Sequence, residues 1–192
     1  IADLAARHGA VVMVDEAHAT GVFGPNGGGI VEEMGLSEQV LIQMGTLGKA
    51  LGGFGAYVAG SRNLRDFLIN RCRSFIFTTS LPPVVIAMAK AAIDIIKKEP
   101  QRRRTLRDNS RTLREGLERM GFSLGRSGSQ ILPLMVGDSA KCMNLAEWLL
   151  QNGVFAQGIR PPSVPPGTSR LRIVPMATHT REQMEQALRA FK

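Results

Sequence analysis

Val11-Val12-Met13-Val14 runs without a break into Asp15-Glu16-Ala17-His18. An uninterrupted apolar run just before an acid pair suits a buried strand of a parallel sheet. In open α/β sheets ligands bind outside the carboxyl ends of the strands, so the acids and the imidazole are delivered where ligands are expected. A second short run, Val40 to Met44, leads into Gly45-Thr46-Leu47-Gly48-Lys49-Ala50-Leu51-Gly52-Gly53, and a third run covers Gly55 to Ala59. Lys49 therefore falls on the tight connection between two strands.

A lysine walled in by glycines and small apolar residues has little structural reason to be there. It is an amine placed to react. A carboxylate, an imidazole and such a lysine match what a pyridoxal phosphate enzyme requires: an acid that keeps the pyridine nitrogen protonated and an amine that carries the Schiff base. Glu16 reads as structural.

Gly21 to Gly29 carries five glycines in nine residues and is expected to be a turn-rich surface segment. Residues 1 to 8 pattern as a helix stopped by Gly9. That helix starts without a cap, so the expectation is that the domain opens upstream of Ile1. Further along, a helix is expected over 66–72 and a strand over 75–80, closed by Leu81-Pro82-Pro83. The helix over 84–98 is apolar on almost every side, which predicts a buried one. Pro100 and the arginines after it mark a domain boundary near residue 100. Beyond it the pattern gives a helix over 101–120, a strand over 131–136 and a helix over 139–151 with Leu145, Trp148 and Leu149 inward. A strand near 153–156, a proline-rich loop over 160–167, a strand over 169–174 and a helix over 180–191 complete a small α+β domain.

With 192 residues, 44% of them hydrophobic, the chain can bury a core. No run approaches the roughly 18 apolar residues of a membrane span. The net charge of +8 is concentrated around Arg102, Arg103, Arg104, Arg107, Arg111, Arg114 and Arg119, which flank a stripe of Leu106, Leu113, Leu117 and Met120. This reads as a helix solvated on its basic face, with an anionic ligand or partner surface as the alternative. Cys72 and Cys142 have no metal spacing, so two reduced cytosolic thiols are expected and no metal is implied.

Asp-Glu-Ala-His also ends the nucleotide-hydrolysing motif of DEAH-box helicases, and a basic chain would suit nucleic acid. A helicase should follow it with a Ser-Ala-Thr segment. Here the glycine-walled Lys49 stands instead, and no Gly-x-x-x-x-Gly-Lys-Ser/Thr loop is present. Four blocks, Val12 to Gly29, Gly45 to Gly60, Ser74 to Pro83 and Gly158 to Ile173, occur in an order and spacing that resembles the α-oxoamine synthases. These form a branch of the fold-type I, aspartate-aminotransferase-like pyridoxal phosphate enzymes. The resemblance runs the length of the chain. Thr78 to Pro83 and Gly158 to Pro165 look most like the biotin-pathway branch of the family.

The resemblance implies an α/β fold in which residues 1–100 form the carboxyl-terminal part of the large cofactor-binding domain and 101–192 the small domain. It makes Lys49 the Schiff-base lysine, Asp15 the partner of the pyridinium nitrogen and His18 a hydrogen-bond partner of the ring's phenolate oxygen. Thr46 would bind the cofactor phosphate, with Thr78 and Thr79 reaching the phosphate of a neighbouring subunit. Arg172 would grip the substrate carboxylate, although alternation puts Arg170 on the same strand face, and Ser163 would contact substrate. The implied activity is a decarboxylative condensation of L-alanine with a pimeloyl thioester, carried on coenzyme A or acyl carrier protein. Glycine with acetyl- or succinyl-CoA is the alternative elsewhere in the family. The implied setting is a cytoplasmic homodimer with its site at the subunit interface and neither nucleic acid nor membrane among its partners.

Overall fold

The computed structural model describes all 192 residues, and these divide into two compact units, Ile1–Arg103 and Arg104–Lys192. In the first unit, α1 (Ala2–Arg7) leads to β1 (Met13–Asp15), which pairs in parallel with β2 (Ile42–Thr46) so that Asp15 stands opposite Met44. β3 (Ala56–Gly60) then pairs antiparallel with β2, with Thr46 opposite Ala56, giving the strand order β1-β2-β3. The sheet is thus mixed. A nine-residue return from Thr46 to Ala56 is too short for the crossover that a parallel neighbour needs.

The apolar tetrad is not covered on both faces as expected. Val11 is 63% and Met13 57% exposed, because no element of the chain covers that side of β1. α5 (Pro83–Lys98) departs from expectation in the same way. Val84, Ile86, Met88, Ile93 and Ile95 are exposed. A narrow stripe at spacings of four and three, Val85, Ala89, Ala92 and Ile96, packs against Leu47 and Leu51 below the lysine loop.

α2 (Ile30–Glu33) follows the glycine segment, and α3 (Arg62–Arg71) starts at Ser61, whose side chain accepts from the Leu64 amide. The expected strand over 75–80 is instead α4 (Arg73–Ile76) running into irregular backbone. Local bonds explain this. The Ile76 amide donates to Cys72 and the Phe77 amide to Arg73, and the Arg73 guanidinium lies 5.7 Å from the Phe77 ring centre. With no neighbouring strand to pair with, β-prone residues satisfy their backbone locally.

In the second unit β4 (Leu132–Gly137), β5 (Gln157–Ile159) and β6 (Ser169–Ile173) form an antiparallel sheet in the order β4-β6-β5. Alternation on β6 buries Ser169, Leu171 and Ile173 and turns Arg170 and Arg172 to the other face. The buried face meets α6 (Gln101–Arg119), α7 (Ser139–Gln151) and α8 (Arg181–Ala190) around Leu113, Leu117, Leu132, Leu134, Leu149 and Met184. Asp138 caps α7 through the Lys141 amide, and Thr180 with Gln183 forms a capping box on α8.

Two expectations shift. Residues 153 and 154 close α7, their amides donating to Leu150 and Leu149, so the strand begins later, at Gln157. Trp148 is 56% exposed and not inward. Its indole nitrogen donates to the Ala190 carbonyl at 3.2 Å, which keeps the ring at the surface. No helix is long and apolar enough to cross a membrane.

Candidate active site

Parallel pairing brings the carboxyl ends of β1 and β2 to one edge of the sheet. Asp15 ends β1 there and Thr46 ends β2, with Lys49 three residues beyond. The loop from Leu47 to Gly55 is closed by its own backbone, Leu47 donating to Gly55 at 2.8 Å and Gly53 to Leu47 at 2.7 Å. Leu47 and Leu51 point into the core and leave Lys49 between them exposed at the loop's tip. The inward leucines are what hold the amine outward.

Asp15 and His18 are also exposed. Asp15 Oδ1 accepts from the Ala17 amide at 2.8 Å, which fixes the carboxylate while Oδ2 takes no part in that bond. Residues 16–20 form one turn, with the Ala19 and Thr20 amides both donating to the Glu16 carbonyl. His18 stands on this turn. Glu16, read from sequence as structural, is 1% exposed and accepts from the Ile30 amide at 2.9 Å and the Val31 amide at 2.7 Å. It caps α2 and so ties the acid end of β1 to the segment after the glycines.

That glycine segment is held by groups which sequence reading did not single out. Glu32 accepts from the Gly28 amide and the Asn26 side chain, and Glu33 from the Gly24 amide. Burial alone would raise the Glu32 carboxyl; the bonds from Asn26 and Gly28, with the Arg103 charge, outweigh it and hold the group below its ordinary range. Arg103, expected on a solvated basic face, is buried. Its guanidinium donates to the carbonyls of Ile96 and Pro25, both at 2.6 Å. A signal did exist: Arg103, Leu106, Ser110, Leu113 and Leu117 follow spacings of three and four, so Arg103 continues the inward stripe.

Of the expected site residues, the structure gathers Asp15, Thr46 and Lys49 at one sheet edge, with His18 on the turn that follows Asp15. Thr78 and Thr79 lie exposed in the irregular segment after α4. In the second unit Arg172 lines a cavity of about 690 Å³, together with Phe155, Val174, Met176, His179 and Met184. Arg170 instead donates from Nε to the Thr168 carbonyl at 2.9 Å. Ser163 sits in the proline loop, in a turn where its amide donates to the Arg160 carbonyl at 3.0 Å. Arg160 was not singled out from sequence, although it opens the same proline motif.

The lysine edge suits pyridoxal phosphate. Its donor set is an exposed primary amine, a fixed carboxylate and a hydroxyl, and the glycine beside the amine leaves room. At Gly48 the backbone is ordinary, and an added Cβ would meet nothing nearer than the Gly53 carbonyl at 3.6 Å. The chain's own packing does not demand glycine there, whereas a ligand lying against the loop would. One group is engaged elsewhere: Thr46 Oγ1 donates to the Gly55 carbonyl at 3.0 Å and accepts from the Gly48 amide at 3.3 Å.

The chain is similar to known proteins in both sequence and fold. An 8-amino-7-oxononanoate synthase of Trichlorobacter lovleyi is 52% identical over the whole chain, and one of Geobacter sulfurreducens is 48% identical over 96% of it. The chain spans about half the length of these curated relatives, 49% and 48%. Among solved structures, serine palmitoyltransferase of Sphingomonas wittichii superposes with a TM-score of 0.94 at 36% identity, over 99% of this chain and 48% of that one. An 8-amino-7-oxononanoate synthase of Francisella tularensis gives 0.82 at 28%, over 93% and 52%. The two rankings differ in the name they favour. Identity over the full chain separates such close branches better than superposition, since the fold is common to both, and it favours the synthases. The family model for aminotransferase class I and II matches residues 1–191, and the chain belongs to that family.

Proposed function

We propose that this chain carries the lysine of a pyridoxal phosphate site in an enzyme that condenses L-alanine with a pimeloyl thioester, losing CO2 and yielding 8-amino-7-oxononanoate. The observation that carries the reading is the exposed Lys49 amine at the same sheet edge as the fixed carboxylate of Asp15. Relatives matched over the whole chain are named for the product, 8-amino-7-oxononanoate, which supports the reading. In this reading residues 1–100 belong to the large cofactor-binding domain and 101–192 form the small one. The enzyme is a cytoplasmic homodimer whose thioester is carried on coenzyme A or acyl carrier protein.

When bound, the cofactor supplies an electron sink for the pair left on the substrate's Cα. Asp15 opposes the positive charge of the ring nitrogen and keeps its proton in place. Lys49 Nζ is the covalent attachment point. With substrate bound, the Lys49 amine would be the base that accepts the α-proton. His18 donates to the phenolate oxygen. Thr46 would hold the cofactor phosphate through its hydroxyl, and Thr78 and Thr79 would hold the phosphate of the partner subunit. Arg172 supplies a two-pronged guanidinium to the alanine carboxylate, with Ser163 beside the substrate. Arg160 is the second reading for that clamp, because one turn joins it to Ser163.

A serine- and palmitoyl-utilising enzyme is the rival reading, favoured by the closer superpositions. The test is borohydride reduction of the protein loaded with pyridoxal phosphate, followed by peptide mapping and by product analysis with alanine or serine. The expected result is a phosphopyridoxyl group on Lys49 and turnover with alanine and pimeloyl thioester. A label on another lysine, or on none, removes the site assignment. Preference for serine and a long acyl chain removes the substrate assignment alone.

A further inference from the structure

Glycine inside a strand weakens it and marks a close approach. Gly45 in β2 is such a case. Tyr57 stands opposite it on β3, and a Cβ added to Gly45 would lie 2.4 Å from the Tyr57 Cζ and Oη. The hydroxyl end of the ring therefore rests over Gly45. Its hydroxyl reaches across the sheet to Thr20 Oγ1 at 2.8 Å, on the turn that leaves β1. Thr20 Oγ1 in turn lies 3.2 Å from the Glu16 carbonyl, as its donor. Thr20 has one hydroxyl proton, and with that proton given to Glu16, Tyr57 is the donor to Thr20. The carbonyl that receives it is the one that already closes the Glu16–Thr20 turn through the Ala19 and Thr20 amides.

We propose that Tyr57 is a positioning residue for the cofactor site: by resting on Gly45 and donating to Thr20 it fastens the Asp15–Thr20 turn to the third strand, and so sets the placement of His18 and Asp15. The inference rests on the reading above for what Asp15 and His18 touch. The Glu16 amide on Met44 and the Glu16 carboxylate on α2 anchor the start of the turn. The Tyr57 hydroxyl acts at its far end, on Thr20.

The test uses the whole chain with four changes: Tyr57→Phe, Thr20→Val, both together, and Thr20→Ser. Without cofactor, hydrogen exchange is read at the Ala19 and Thr20 amides. Loss of one hydrogen bond predicts about five- to tenfold faster exchange in Tyr57→Phe, and Thr20→Val, which also loses the bond to the Glu16 carbonyl, should be at least as fast. The double variant should be no faster than Thr20→Val alone, and Thr20→Ser should match wild type. With pyridoxal phosphate bound, the circular dichroism of its visible band reports how the ring sits. It should fall in Tyr57→Phe and Thr20→Val and recover in Thr20→Ser. Unchanged exchange in Tyr57→Phe, or additive effects in the double variant, overturns the fastening. Faster exchange with an unchanged cofactor band overturns the positioning role and leaves Tyr57 a packing residue. If wild type takes up no pyridoxal phosphate, the functional reading fails first, and the exchange data still decide the fastening on their own.

Discussion

At the scale of single residues, the acid motif separates into two carboxylates with opposite duties. Asp15 is exposed and presents an oxygen outward; Glu16 is buried and spends both oxygens on backbone amides. Gly29 shows how tightly Glu16 is seated: its φ is +129°, and an added Cβ would lie 2.5 Å from the Glu16 carboxyl carbon. Glu16→Gln replaces one acceptor by an NH2 group that faces an amide donor. The expected cost is about 1–3 kcal/mol, that of leaving a buried polar group unsatisfied. Gly29→Ala should destabilise by a similar amount through strain and contact. Urea unfolding midpoints measure both, and a Glu16→Gln midpoint equal to wild type would refute the capping role. The sequence displayed Lys49 and Asp15 through their neighbours, because glycines and an apolar run are local signals. The partners of Glu16, Arg103 and Tyr57 lie far along the chain, and no local pattern announces them.

At the scale of elements, β6 sets two arginines on one strand face, on the cavity side of the second unit's sheet. Arg170 and Arg172 share one face, which alternation alone could not resolve. Arg170 Nε donates to the Thr168 carbonyl, and Arg172 lines the cavity beside α8. On the proposed reading, with Arg172 as the carboxylate clamp, Arg172→Lys should weaken L-alanine binding by about 1.5–3 kcal/mol, since an ammonium gives a point charge in place of a fork. Arg170→Lys should leave it nearly unchanged. The apparent affinities for alanine and for the thioester measure this. An alanine defect confined to Arg160→Lys would move the clamp to the Ser163 turn. Elements with strong punctuation were legible: α7 lies between Asp138 and Gly153, with the expected limits of 139–151. The strand expected over 75–80 failed because aromatic and β-branched content states what fits a sheet and not whether a partner strand exists. The burial expected of β1 and α5 failed for a related reason. An apolar face records that a cover is favourable, and this chain does not supply one.

At the scale of the whole molecule, the two units differ in how much they bury. The second encloses Leu113, Leu117, Leu132, Leu134, Leu149 and Leu171 in one cluster, whereas the cluster beneath the lysine loop has only Leu47, Leu51 and Ala89 buried. Local stability follows buried apolar contact, so the slowest-exchanging amides of the free chain should lie in β4 and β6, with those of β1 and β2 at least tenfold faster, a gap of about 1.4 kcal/mol. Ligand binding should act on that difference selectively. A cofactor attached at Lys49 binds only states in which β1, β2 and the 47–55 loop are formed. At a hundred times its dissociation constant it stabilises those states by about 2.7 kcal/mol. Protection should then rise in β1, β2 and the loop and stay unchanged in β4 and β6. Hydrogen exchange of the whole chain with and without pyridoxal phosphate measures both effects. A rise confined to the second unit would place the cofactor away from Lys49, and equal protection in the free chain would mean that the small cluster under the loop is not the weaker core its residues make it.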